Sequence, residues 1–407
     1  MIKKHLLKKY LLLFFILFYS LMFGVNFLYM YQAGYQPEDL IKYINSQNVE
    51  NIFVTFKFYE DMYENITVSV NSKEPFYDIA LVDLIWIPEL ASNNMILPLD
   101  DLNDYFDNIP DYVLEQFKYN GKIYALPYLV NIQHFYVNNE ILRKAGFDHP
   151  PKTLEEMVYQ AKIIKEKGIL EYPIVDSWVN EEVLMCEFTW LLGAFGGDYY
   201  QGNTIKINTK EAVKALSFMK KLLDEGLINP LSLEFKEDDI LDVFINGDAA
   251  FTTNWTYQSR YMEDPRYSKI LKKGSLELIP VSESIKDKKR TVSVSGFQGL
   301  AILKNTKNIE DSIQALKVLT RSEFFHQFDN EIPIYKNMHK EYEKEKEYNK
   351  KKLIELENVL NRPSLIEYNK FSEIVRRYIT MALKGLLPPK EALDKAQKEI
   401  EKIMNNF

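Results

Sequence analysis

The stretch 120–142, NGKIYALPYLVNIQHFYVNNEIL, constrains this chain more than any other. Two apolar, β-prone runs lie end to end in it: 123–129, and a second with its core at 135–137. Three polar side chains, Asn131, Gln133 and His134, sit between them. Asn120-Gly121 is a turn signal that launches the first run. Pro127 lacks a backbone donor and favours an edge or the end of a strand. The second run leads into a helix over Asn139–Ala145, with Gly146 as its stop. From the residues alone, the stretch is a hairpin-like pair of strands in one core.

A chain of 407 residues exceeds one ordinary core, so two domains are expected. Hydrophobic content of 46% against 27% charged residues describes a globular protein, not a disordered one. Along the chain, apolar alternation marks strands at 26–32, 51–58, 77–82 and 249–255. Helices fall between them, at 37–45, 154–167, 181–195 and 210–225. Thr153 caps the second of these, with Glu156 completing a capping box, and Gly168 ends it. Leu154, Met157, Val158, Ala161 and Ile164 make its apolar face. YPIVDSW reads as a further strand carrying Trp178, and 291–304 as strands around Gly296 and Gly299. Strands alternating with helices give an α/β architecture with ligand sites at strand ends. The Lys- and Glu-rich run 339–352 reads as a solvated helix face.

Several functional classes are disfavoured. A net charge of −8 offers no basic face for phosphates, so no nucleic acid is expected as partner. The single Cys186, in the apolar helical pattern VLMCEFTWLL, excludes an internal disulfide and reads as a buried small hydrophobe. Five scattered His lack ligand spacing, so no histidine-built metal site is expected; one built on oxygen ligands stays open. No GxSxG, P-loop or zinc motif is present. No cofactor is expected.

The run GKIYALPY followed by FYVNNEILRKAGFDHPPKTLEEM, residues 121–157, resembles the extracellular solute-binding proteins of bacterial ABC transporters that bind sugars and oligosaccharides, the maltose-binding-protein-like group. YDIALVD, ILPLDDL, AAFTTNW and the closing MALKGLLPPKEALDKAQKEIEKIM resemble further elements of that family, in its order, over roughly 50–404. The resemblance implies a two-lobed periplasmic-binding-protein fold in which the chain crosses between lobes more than once. One lobe would be 25–129 plus 282–324, the other 130–281 plus 325–407. The stretch at 120–142 would hold the first crossing, with its polar trio facing a cleft, and LELIPV at 276–281 the second. A sugar ligand, hinge closure and delivery to a membrane permease follow from the resemblance. A monomer and no catalysis are expected. Two rivals remain: a membrane-anchored sugar sensor and a carbohydrate-active enzyme.

The N-terminus carries Lys3, Lys4, Lys8 and Lys9 before an apolar run, the pattern of a secretory signal. No lipid-anchor Cys follows. The run extends to Tyr31, long enough for a span of about 20 residues, so residues 1–24 are a signal peptide or a retained anchor. Export is expected in either case.

A sugar has apolar C–H faces that stack on aromatic rings and hydroxyls that want paired donors and acceptors. Clusters combining both are Asp83 with Trp86; Tyr128, Asn131 and Gln133; Asp176 with Trp178; Asn254, Trp255 and Tyr257; and Phe297 with Gln298. Trp255 and Phe297 take the places of cleft aromatics in the resembled family. Each has a plainer use: Trp86 and Trp178 as core, Asp83 as a helix cap. Trp190 reads as core. Gln32 and Tyr35 follow the first strand, a common ligand position in such folds.

Overall fold

The computed structural model describes residues 24–31, 37–47, 51–326 and 331–404. The expected signal or anchor lies outside them except for Gly24, as do Gln32 and Tyr35. Its main strands are β1 (Val25–Met30), β2 (Ile52–Lys57), β3 (Ile79–Asp83), β4 (Leu126–Asn138), β5 (Phe251–Trp255), β6 (Gly274–Glu277) and β7 (Ser293–Ile302). The described residues fall into two compact units. The first takes those up to Leu129 with 297–326 and 334–336; the second takes 130–296, 331–333 and 337–404.

In the first unit β2, β1 and β3 run parallel in that order, and Gln298–Ile302 of β7 adds antiparallel to β3. β1 is covered on both faces, with Phe27, Leu28 and Tyr29 fully buried, as its unbroken apolar sequence requires. The helices Pro37–Ser46, Tyr59–Asn71 and Ile309–Leu319 cover the sheet with Leu40, Met62, Ile66 and Leu316. Gly299 has no room for a side chain: a Cβ there would lie 2.7 Å from the Phe117 ring and 2.9 Å from Ala125 Cβ.

In the second unit β4 is flanked on both sides by antiparallel partners, β6 and β5. The helix Glu182–Ala194 is buried all round apart from Glu182, as its continuous apolar sequence demands. It packs with Lys210–Asp224 and Tyr368–Leu383. Leu393, Ala396 and Ile400, spaced on one face, bury the helix Pro389–Met404.

Several expected elements appear where the sequence put them. Asn120 and Gly121, at φ 48 and 77, turn the small hairpin Lys118–Tyr119/Lys122–Ile123. Gly146, at φ 93, ends the helix Asn139–Ala145. Thr153 Oγ1 accepts from the Glu156 N–H at 3.2 Å, but Glu156 Oε2 accepts from the Lys152 N–H, one residue short of a true capping box.

Others differ. From Leu126 on, the two runs form one strand of 13 residues, Leu126–Asn138, not a hairpin-like pair, because the polar trio continues the extended backbone. YPIVDSW forms only isolated bridges at Ile174. LELIPV stays in the second unit, where Leu276 pairs with Tyr136 in a register that holds β6 on β4. The chain re-enters the first unit at Phe297, not 282. Phe324 and Phe325 remain there, packed around Tyr128, the first ring tilted and the second edge-on. The 339–352 run is not wholly a solvated face: Tyr342, Asn349 and Lys352 are buried, and Lys352 Nζ donates to Ser259 Oγ at 3.0 Å over the Tyr348 ring.

Candidate ligand-binding site

The carboxyl ends of the parallel strands in the first unit hold Asp83 and Trp86. Asp83 is the last residue of β3. Its Oδ1 accepts from the Ile85 N–H at 3.2 Å, the helix-capping use, and its Oδ2 accepts from Tyr59 OH at 3.1 Å. Trp86 is 3% exposed, with its ring against Tyr59 and Tyr63 at 5.2 and 5.8 Å. Tyr128 and Phe297 are fully buried. Gln298 pairs with Asp83 in the β7–β3 register. Its Nε2 donates to Met30 Sδ at 3.6 Å, and its Oε1 has no partner among the described residues. The exposed aromatics at this end are two residues the sequence reading passed over. Tyr31 and Phe58 follow the last residues of β1 and β2, are 43% and 56% exposed, and meet edge-on at 5.4 Å.

In the second unit, Trp255 ends β5. Its ring is half-buried and lies over Gly296, where a Cβ would come within 2.7 Å of it. Its Nε1 donates to Glu237 Oε1 at 3.4 Å. Burial pushes the Glu237 carboxyl up from its usual range. Asn254 is tied down: its Nδ2 donates to Glu237 O and to Gln258 Oε1, and its Oδ1 accepts from the Trp255 N–H. Asn131, half-buried, accepts from the Thr256 N–H at 3.3 Å. Tyr257 is half-buried, and its OH donates to Asp238 Oδ1 at 3.4 Å. Burial raises that phenol well above its ordinary value.

Gln133 sits opposite Trp255 in the β4–β5 register. Its Nε2 donates to Glu187 Oε1 at 2.8 Å, and its Oε1 has no partner among the described residues. Glu187 also accepts from Trp190 Nε1 at 3.0 Å and from Thr253 Oγ1. Thr253 in turn binds Asp176 through its N–H at 2.7 Å. Desolvation pushes both carboxyls up, Glu187 far and Asp176 to about 7. Trp178 is 2% exposed; it shares with Asp176, Trp190 and Thr253 a cavity about one water in size, and its Nε1 has no partner among the described residues.

Of the expected site residues, then, Asn254, Trp255, Tyr257, Asn131 and Gln133 gather at one strand end of the second unit. Trp178 is set back in the core. Asp83, Trp86 and Gln298 gather at the strand ends of the first unit, while Tyr128 and Phe297 are core side chains there. Glu187 was missed. Its signal was present: a lone acid inside VLMCEFTWLL has to find buried partners. Among the described residues, no cluster of His, Cys, Asp and Glu could hold a metal ion.

Residues 38–323 match the family of bacterial extracellular solute-binding proteins. The chain belongs to that family. Among its relatives, a "probable ABC transporter-binding protein" of Deinococcus radiodurans is 24% identical over 263 residues, 62% of this chain and 60% of that protein. The "multiple sugar-binding protein" of Streptococcus mutans is 22% identical over 172 residues, 40% of this chain and 41% of its own length. The chain thus matches less than two thirds of the length of these relatives. Among solved structures, maltose-bound MalE3 of T. maritima superposes with a TM-score of 0.83 at 24% identity, over 93% of this chain and all of that one (100%). An ABC transporter solute-binding protein of Thermotoga lettingae, bound with α-D-tagatose, gives 0.82 at 21% identity, over 93% of this chain and 99% of that one. This solute-binding protein therefore has the two-lobed α/β fold of its family.

Proposed function

We propose that this protein captures a sugar or oligosaccharide outside the cytoplasmic membrane and delivers it to the permease of an ABC importer. The observation that carries this reading is Trp255. A half-buried indole, fixed on one side by Gly296 and at its nitrogen by Glu237, ends a strand beside Asn131, Gln133 and Tyr257. An aromatic face next to amides and a phenol matches a pyranose, which has apolar faces and a rim of hydroxyls. At the strand ends of the first unit, Asp83, Gln298 and the exposed Tyr31 and Phe58 have the same composition. The curated relative named for multiple sugars, and neighbours solved with maltose and tagatose, support a carbohydrate as the solute.

In this reading binding is the whole chemistry, and no residue acts as nucleophile or base. Ligand-driven hinge closure, a monomeric state, export, and recognition of the liganded form by the permease are parts of the same proposal.

Intrinsic tryptophan fluorescence of the full chain, titrated with mono- and oligosaccharides and with amino acids and peptides as controls, tests it. A saturable change with at least one sugar is expected, and Trp255→Ala weakens it without loss of fold. A response to a peptide or amino acid and to no sugar discards the substrate class.

A further inference from the structure

Two carboxyl groups meet one hydroxyl in the core of the second unit. Thr253 Oγ1 lies 3.0 Å from Asp176 Oδ1 and 3.0 Å from Glu187 Oε2. A threonine hydroxyl carries one proton. It can donate to one carboxylate and not to both. The second carboxyl then faces an oxygen lone pair, and that contact is a hydrogen bond only when the carboxyl itself is protonated.

Among the described residues, none of the groups acting on the two carboxyls carries a positive charge. Asp176 is 6% exposed and Glu187 fully buried. The groups that act on Asp176 are the backbone N–H and hydroxyl of Thr253 and the hydroxyl of Thr252. Those that act on Glu187 are Asp176, Trp190, Thr253 and Gln133. The packing elements contribute Phe135 from β4, Phe251 from β5, and Met157, Leu191, Phe218 and Leu222 from three helices, none of them titratable. Two ionised carboxylates across one hydroxyl in such surroundings repel strongly, and burial disfavours each charge.

We propose that Asp176 and Glu187 share one proton at neutral pH, and that this proton holds the strand end around Trp255 in its binding geometry, so that sugar binding weakens as the proton is lost. The coupling rests on the reading of that strand end as a ligand surface. Its route is short. Thr253 precedes Trp255 by two residues and points to the same face of β5. Gln133, opposite Trp255 in the register, is buried and gives its Nε2 to Glu187, which ties the backbone beside the indole to the pair. Separation of two like charges displaces Thr253 and Gln133, the two residues that frame the indole. The upward shift of both carboxyls through burial agrees with a proton retained near neutrality.

The experiment uses the full chain in two arms. In the first, tryptophan fluorescence of the ligand-free protein is followed against pH, together with the infrared stretch of protonated carboxyl groups. Trp190 donates to Glu187, and Trp178 lines the cavity beside Asp176, so both report on the pair. A one-proton transition near neutral pH is expected. Glu187→Gln and Asp176→Asn, which keep the shape and supply their own N–H donors, should each abolish it. In the second arm, maltose and maltotriose are titrated below and above the transition. Kd is expected to rise about five-fold or more with pH in the wild type and to stay flat in Glu187→Gln. Absence of a transition in the wild type, or the same transition in both variants, overturns the shared proton. A transition with pH-independent binding overturns the coupling. A transition that vanishes in the variants, with neither sugar bound at any pH, upholds the shared proton and removes the sugar reading instead.

Discussion

The strand ends of the two units are built on different supports. In the first unit, aromatic side chains do most of the work. Trp86 rests on Tyr59 and Tyr63, and Tyr31 and Phe58 stand exposed at the ends of β1 and β2. Asp83 is the acid there, and it is spent on a cap and a tyrosine. In the second unit, Trp255 stands above a buried polar network of Gln133, Thr253, Asp176, Glu187 and Trp190. Apolar packing is non-directional and tolerates trimming, whereas a buried network holds only while every member is satisfied. The first surface should therefore be locally tolerant, and the second brittle and sensitive to pH.

The largest expected effect breaks the second surface outright. Glu187→Ala strands the Gln133 amide and the Trp190 N–H in the core, leaving the Thr253 hydroxyl to Asp176, and should cost roughly 3–5 kcal/mol in urea denaturation. A loss below about 1 kcal/mol would show that the network is dispensable. Next comes pH. Burial pushes the Asp176 carboxyl from its ordinary 3.8 up to about 7, so between these values the folded chain holds a proton the unfolded chain has released. The Asp176 contribution to stability then falls as pH rises from about 4 to about 7 and is constant above, a slope of about one proton beside those of the other buried acids. Asp176→Asn should remove that slope; an unchanged slope would place the titration elsewhere. Smaller again, Trp255→Ala should weaken sugar binding about ten-fold, or ~1.4 kcal/mol, with the thermal midpoint nearly unchanged. Equal losses of affinity and stability would make Trp255 a packing residue. The smallest effect sharpens the comparison from the other side. Phe58→Ala, at a residue 56% exposed, should change stability by no more than about 0.5 kcal/mol while lowering affinity about three-fold. A large stability loss there would show that the first surface is as brittle as the second.

Much of this was legible from residue order. Asn120-Gly121 reads as a turn, Gly146 as a helix stop, which it is at φ 93, and Thr153 as a cap. Local sequence carries such features because they depend on backbone sterics and on hydrogen bonds within a few residues. The single strand β4 was misread because polar residues in its middle look like a break. They are tolerated because partners distant in sequence satisfy them: Glu187 for Gln133 and Glu355 for His134. The charged run at 339–352 misled for the same reason, since Lys352 finds Ser259 and the Tyr348 ring in the interior.

By itself, then, the sequence determined the family, the α/β alternation, the caps and stops, and the placement of Trp255 at a strand end, all set by short-range pattern. Only the tertiary structure decided that Trp86, Tyr128, Trp178 and Phe297 are buried, that Tyr31 and Phe58 are exposed, and that Asp176 and Glu187 meet at one hydroxyl. Burial and pairing depend on which distant segments pack against a residue. Two acids 11 positions apart in sequence become one titrating pair only when β5 brings Thr253 between them.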